Sequence, residues 1–246
     1  MFNRILGVFI LVFSLAISFF VSNKNTEAVI NHETQNTKPN FVIAKAEVID
    51  EVKSLYESIE SNGFDLPFYD CFETAYRGYE TLLNEGKIKN NKLVLVDFSK
   101  SSNTERLWVI DMDSKVILYQ SLVAHGRNSG EEFASEFSNL SESFQSSLGF
   151  YLTAETYVGK NGFSLRLDGL EQGINHKARA RAIVIHAADY VSKTFAKDNK
   201  RLGRSQGCPA LPVELNDEII HTIKNKACLF IYHPSRKYST KTVNQL

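Results

Sequence analysis

No excess of charge of either sign marks this chain of 246 residues: Lys plus Arg and Asp plus Glu number 28 each, for a formal net charge of zero. With no broad field to attract them, nucleic acid and anionic membrane surfaces are not expected partners, and any recognition of charge has to be local. Metal-ligand pairs are missing too. His186, Cys208 and His221 could converge on one ion, but the sequence has no CxxC, HxxxH or HExxH, so no metal or other cofactor is expected. GxSxG is absent, which removes the nucleophile-elbow serine hydrolases. No internal repeat recurs along the chain, which removes solenoids and propellers. The length left after a targeting segment, about 200 residues, suits one domain plus a small extension.

What is present begins with a single long apolar run. Ile5 to Val21 carries no charge, follows Arg4 and precedes the polar stretch Ser22-Asn23-Lys24-Asn25, which is the build of an export signal. Thr26-Glu27-Ala28 supplies a small-x-small cleavage site, so residues 1–28 are read as a signal peptide, with an uncleaved membrane anchor through residues 5–21 as the alternative. Either way the protein is expected to be exported, to the periplasm or the outer face of the cell envelope. No cysteine lies near the run, so lipid attachment there is not expected.

Residues 29–40 are polar and end near Pro39, a solvated linker. Residues 41–90 read as a helical extension. Val48, Val52, Leu55, Tyr56 and Ile59 form one stripe closed by Asn62-Gly63, and Phe72, Ala75, Tyr76, Tyr79, Leu82 and Leu83 form a second between Pro67 and Gly86. From residue 91 to 233 the period becomes that of strands, expected at Lys92–Phe98, Arg106–Met112, Lys115–Ala124, Phe150–Tyr157, Phe163–Leu167, Ala182–His186 and Ala227–His233. Asp113-Ser114 and Gly159-Lys160-Asn161-Gly162 supply turns, Asn216–Lys224 a short helix, and residues 234–246 a loose polar tail. The expected fold class is a β-rich α+β domain preceded by helices.

Three cysteines, Cys71, Cys208 and Cys228, leave an odd thiol in an oxidising compartment. Cys71 and Cys228 sit in apolar-patterned segments, where buried free thiols and a disulfide between them are both open readings. Cys208 is different. It lies in Leu202-Gly203-Arg204-Ser205-Gln206-Gly207-Cys208-Pro209-Ala210-Leu211-Pro212, where two glycines and two prolines force a tight loop that can hold a thiol exposed. Backbone N–H groups of Gly207 and Cys208 could serve an oxyanion, since Pro209 has none. A thiol is only slightly ionised at neutral pH and needs a base or a positive charge to act as nucleophile. His186, at the end of the strand Ile183-Val184-Ile185-His186, is the candidate base, and Arg204 the candidate positive charge. Ser205 either orients His186, donates to the oxyanion, or merely closes the turn.

Three segments, Ser146-Ser147-Leu148-Gly149-Phe150-Tyr151, Ile185-His186-Ala187-Ala188 and Arg204-Ser205-Gln206-Gly207-Cys208, resemble the L,D-transpeptidases of peptidoglycan, in particular the murein L,D-transpeptidase catalytic domain branch. The resemblance runs from Leu93 to Pro212 and departs from the family's Ser-His-Gly-Cys motif at one point, where Gln206 replaces the histidine. It implies the family's β-sandwich or barrel-like catalytic domain. It also implies that Cys208 attacks the carbonyl of the diamino acid in a tetrapeptide stem, releases D-Ala and leaves a thioester, which a second stem, a protein amine or water resolves. The expected partner is therefore the peptidoglycan stem peptide.

Stem peptides carry carboxylates, for which Arg204, Arg181 and Arg179 are candidate clamps. Gln206, His125 and Tyr151 are further candidates for the substrate cleft, His125 because it ends a strand before a Gly- and Ser-rich loop. That loop, Gly126 to Gln145, contains Phe133, Phe137 and Phe144 and reads as a substrate-covering lid. Two alternatives to a transpeptidase stand beside it: an L,D-carboxypeptidase that uses water, and a peptidoglycan-binding module that has kept the fold and lost the chemistry.

Overall fold

A computed structural model describes residues 51–239 and Val243; the expected signal, the linker and the start of the first helical stripe lie outside the described residues. Residues 51–57 are helical and bury Val52. The second stripe forms α1 (Tyr69–Asn84), which turns Cys71, Phe72, Ala75, Tyr79 and Leu82 inward at three- and four-residue spacing. Gly86 ends it as expected. At φ +69° its N–H donates to the Leu83 carbonyl while the Lys87 N–H donates to that of Leu82, a Schellman closure that satisfies carbonyls the helix would otherwise orphan.

Among the described residues eight strands follow: β1 (Lys92–Asp97), β2 (Leu107–Asp111), β3 (Val116–Ser121), β4 (Gly149–Gly159), β5 (Gly162–Gly169), β6 (Val184–Ala187), β7 (Ala210–Leu211) and β8 (Cys228–Tyr232). They make one sheet in the order β3-β2-β1-β8-β4-β5-β6-β7, with parallel joins between β1 and β8 and between β6 and β7. Just beyond β3, Ala124 bridges Ala210 of β7 and Gly126 bridges Ser205. The two edges thereby meet, and the sheet is a nearly closed barrel within a β-rich α+β fold. Closure removes most of the unpaired edge that an open sheet would expose.

Alternate residues of the central strands enter two cores. Val94, Val96, Val109, Leu229 and Ile231 pack with Ile219, Ile220 and Ile223 of α3 (Val213–Ile223) on one face. On the other, Leu93, Leu95, Trp108, Ile110 and Phe230 pack beneath α1. Burial on both faces is why these strands read as near-continuous apolar runs rather than as alternating ones. Each such large apolar side chain contributes about 1.5–3 kcal/mol by leaving water. Close approach of α1 depends on Gly78, where a Cβ would lie 2.1 Å from the Phe150 ring.

Boundaries moved where a local feature overrode the pattern. β6 starts at Val184 rather than Ala182, because Ala182 adopts φ +54° and belongs to the preceding turn. α3 starts at Val213, immediately after Pro212, and so earlier than Asn216. The short α2 (Lys193–Asn199), capped by the Ser192 hydroxyl on the Phe195 N–H, buries no residue and shows no apolar stripe to read.

Candidate active site

The parallel ladder of β6 and β7 pairs His186 with Ala210. Extending that register places residue 208 opposite Val184, and there the Cys208 sulfur accepts the Val184 N–H at 3.5 Å. The thiol thus stands where the next backbone partner of the ladder would be. It also approaches the Ala182 carbonyl at 3.7 Å. Cys208 is a free, half-buried thiol.

Its loop is stapled from within and from below. The Ser205 hydroxyl donates to the Cys208 carbonyl at 2.6 Å and accepts the Gly207 N–H at 3.0 Å. Gly207 has φ +119°, and a Cβ there would lie 2.7 Å from the Gln145 carbonyl oxygen. Underneath, the Ser146 hydroxyl donates to the Gly207 carbonyl and accepts the Gly126 N–H, joining three segments that are distant in sequence. These bonds narrow one open reading and correct one expectation. Of the three readings of Ser205 they fit that of the turn residue, its hydroxyl committed to the Cys208 carbonyl and the Gly207 N–H. The Gly207 N–H is already bonded, so it is not free for an oxyanion, whereas the Cys208 N–H has no acceptor among the described residues.

His186 is 6% exposed, and its Nδ1 lies 2.7 Å from the Ala187 carbonyl. A carbonyl only accepts, so Nδ1 carries the proton and Nε2 keeps its lone pair. Burial pushes the imidazole below its ordinary value, and the Lys160 charge pushes the same way against the Ala187 carbonyl. Burial pushes the Cys208 thiol up, offset in part by the Val184 N–H and by the charges of Arg181 and Lys160. Near neutral pH the pair therefore rests as thiol and neutral imidazole, the arrangement that needs general-base proton transfer to make a nucleophile.

Both side chains line a cleft of about 890 Å³, together with Arg181, Arg204, Gln206, Tyr190, Lys160 and the loop residues Ser141, Glu142 and Phe144. Glu142, Phe144 and Ala182 on its wall all have positive φ without being glycine, backbone strain held by the surrounding bonds. The β4–β5 hairpin overhangs one side, carrying Tyr157 and Lys160 beyond the packed part of the sheet.

The candidate clamps are mostly occupied. Arg181 donates to the carbonyls of Ser138 and Gln145 and to the hydroxyls of Ser147 and Ser143, which ties the 126–145 loop down beside the thiol. Arg204 donates to the carbonyls of Arg127 and Gly130 and to the Glu131 carboxylate at 2.6 Å. Arg179 is away from the cleft, paired with Glu155 and Asp168 on the surface. Gln206 is exposed at the rim.

His125 and Tyr151 are corrected as well. His125 is 1% exposed: its Nδ1 accepts from Arg106 at 2.8 Å, leaving Nε2–H for the Gly130 carbonyl at 3.3 Å. Burial, then the Arg106 charge, push it down to about 4. Tyr151 is fully buried, with its hydroxyl on the Ser147 carbonyl. Both brace the segments that carry the cleft. Sequence reasoning missed Lys160 and Tyr190 as cleft residues; Tyr190 stands four residues after His186, two beyond the segment that ends at Ala188, the one signal that could have found it. No group of three or more potential metal ligands occurs among the described residues, and Cys71 and Cys228 are free and fully buried.

Comparison with known proteins gives one family match: the L,D-transpeptidase catalytic domain, over residues 67–232. Among solved structures, an L,D-transpeptidase from Mycobacterium smegmatis is 10% identical, covers 58% of this chain and 59% of its own, and has a TM-score of 0.37. The helical cell shape determining protein Pgp2 from Campylobacter jejuni is 11% identical over 70% of this chain and 60% of its own, with a TM-score of 0.40. Bd1075 from Bdellovibrio bacteriovorus is 15% identical over 58% and 48%, with a TM-score of 0.37. The match in each case spans less than two thirds of the solved chain. No curated protein sequence matches.

Proposed function

Because this chain belongs to the L,D-transpeptidase catalytic domain family, we propose that it is an exported cysteine acyltransferase acting on peptidoglycan stem peptides, with Cys208 as nucleophile and His186 as base. The observation that carries the reading is the pair itself: a half-buried free thiol and an imidazole with a partner only at Nδ1, both on the wall of one cleft. Nε2 of His186 takes the thiol proton as sulfur attacks the stem carbonyl. The tetrahedral intermediate collapses with cleavage of the C–N bond, and the imidazolium returns the proton to the departing D-Ala nitrogen. An amine, or water, then attacks the thioester and restores the thiol.

Carboxylates of the stem are met at the cleft by Lys160, which has no ion pair among the described residues, with Arg181 and Arg204 adding field rather than free hydrogen bonds. Gln206 faces substrate at the rim and takes no proton. Within this proposal residues 91–233 are the catalytic unit, residues 41–90 its helical extension, and the 126–145 loop a lid. The test is incubation with disaccharide tetrapeptides followed by mass analysis. A Cys208 thioester and a lost D-Ala support acyl transfer, new cross-links mark a transpeptidase, and tripeptides alone mark an L,D-carboxypeptidase. Binding without any adduct or product would leave only a wall-binding module.

A further inference from the structure

Of the backbone positions 207–209 around the sulfur, one donor is left for the tetrahedral anion implied by that chemistry. The Gly207 N–H is bonded to Ser205 and residue 209 is proline, which leaves the Cys208 N–H. We propose that the Tyr190 hydroxyl is the missing donor to the oxyanion formed when Cys208 attacks a carbonyl. This inference rests on the acyl-transfer reading.

Tyr190 lines the same cleft as Cys208 and His186. Its hydroxyl has no hydrogen-bond partner among the described residues, whereas the hydroxyls of Tyr56 and Tyr151 each have one. Its backbone is fixed: the Tyr190 carbonyl accepts the Gly203 N–H at 2.9 Å, and the Val191 N–H closes a turn on the Ala188 carbonyl. The side chain packs against Gly203 so closely that a Cβ there would lie 2.3 Å from the Tyr190 Cβ. Burial, then the nearness of Cys208 charge, raise the phenol to about 12, so it keeps its proton throughout the working range and remains a donor. A donor with no partner of its own, held by a fixed backbone on the wall of the cleft that contains the reacting sulfur, suits oxyanion stabilisation.

In the step assigned, the sulfur lone pair forms the S–C bond and the carbonyl π pair moves to oxygen, which accepts hydrogen bonds from the Tyr190 O–H and the Cys208 N–H. When the C–N bond breaks, that pair returns to re-form the carbonyl, and Tyr190 keeps its proton throughout.

Two reactions of Cys208 separate this role from a structural one. Acylation by a carbapenem passes through an oxyanion; alkylation by iodoacetamide does not. In Tyr190→Phe, acylation followed by intact-protein mass should slow about 100-fold while alkylation at matched pH stays within about twofold of wild type. Equal acylation in the two proteins would overturn the assignment. So would equal slowing of both reactions, which would mean that Tyr190 acts on the thiol and not on the oxyanion. A wild-type protein that is alkylated at Cys208 but acylated by neither carbapenem nor tetrapeptide would overturn the acyl-transfer reading and this assignment together.

Discussion

The two faces of this molecule treat the same functional group in opposite ways. On the α1 side of the sheet, Cys71 of the helix and Cys228 of β8 are sealed in one apolar core, and burial drives both thiols well above their ordinary value. At the β6–β7 seam, Cys208 also feels burial, but a backbone N–H and two cationic side chains oppose it, and an imidazole shares its cleft. Chemistry follows from what stands around the sulfur rather than from cysteine itself.

The largest test of that contrast exchanges the thiols one at a time. Cys208→Ala should lower acyl transfer by at least about 10⁴-fold with little change in unfolding midpoint. Cys71→Ser or Cys228→Ser should do the reverse, costing about 1–3 kcal/mol of stability for a buried hydroxyl while Cys208 acylates at the wild-type rate. Next comes the base. His186→Gln should slow acylation by about 10²–10⁴-fold and abolish the acid limb of the pH–rate profile. Because burial lowers this imidazole, that limb in the wild type should have its midpoint below 6.5.

A stability measurement probes the cleft side directly. His125 is held neutral in the fold down to about 4, while an unfolded imidazole titrates near 6.5. The unfolded chain therefore takes up the proton first. The contribution is fully present above pH 6.5 and is lost as pH falls to about 4, by up to about 3 kcal/mol. Amide exchange of the 126–145 loop, which His125 supports through Gly130, should accelerate in this window before that of β1 or β8 does. The smallest effect is expected for Arg181→Met, which removes a positive charge near the thiol and four hydrogen bonds, three of them to the loop. Acylation should fall about tenfold, and the pH dependence of alkylation should shift to higher pH.

Much of the scaffold could be read from residue order because its strands carry continuous apolar side chains and its helix α1 a clean stripe. β7 could not, since two residues carry no period, and α2 could not, since it buries nothing. The thiol loop announced itself through Gly203, Gly207, Pro209 and Pro212, whose backbone demands are local. Which face a neighbour presents is not local. His125 ends its run as a cleft residue would, yet Arg106, brought alongside by β2, turns it inward. Tyr151 lies within a matched segment but on the inner face of β4. Lys160 reaches the cleft only because the β4–β5 hairpin extends past its neighbours, a length set by pairing rather than by any motif.

The position of β8 has a consequence for how the molecule can come into being. β8, the last of the described strands, is the wedge between β1 and β4, so until it arrives the three-strand meander and the later strands that carry the cleft meet only through the Ala124–Ala210 and Gly126–Ser205 bridges. A nascent polypeptide halted before Ala227 would leave the borders of β1 and β4 open over a sticky apolar interior. Whatever escorts the unfinished polypeptide has to shield those borders until the final strand slots home.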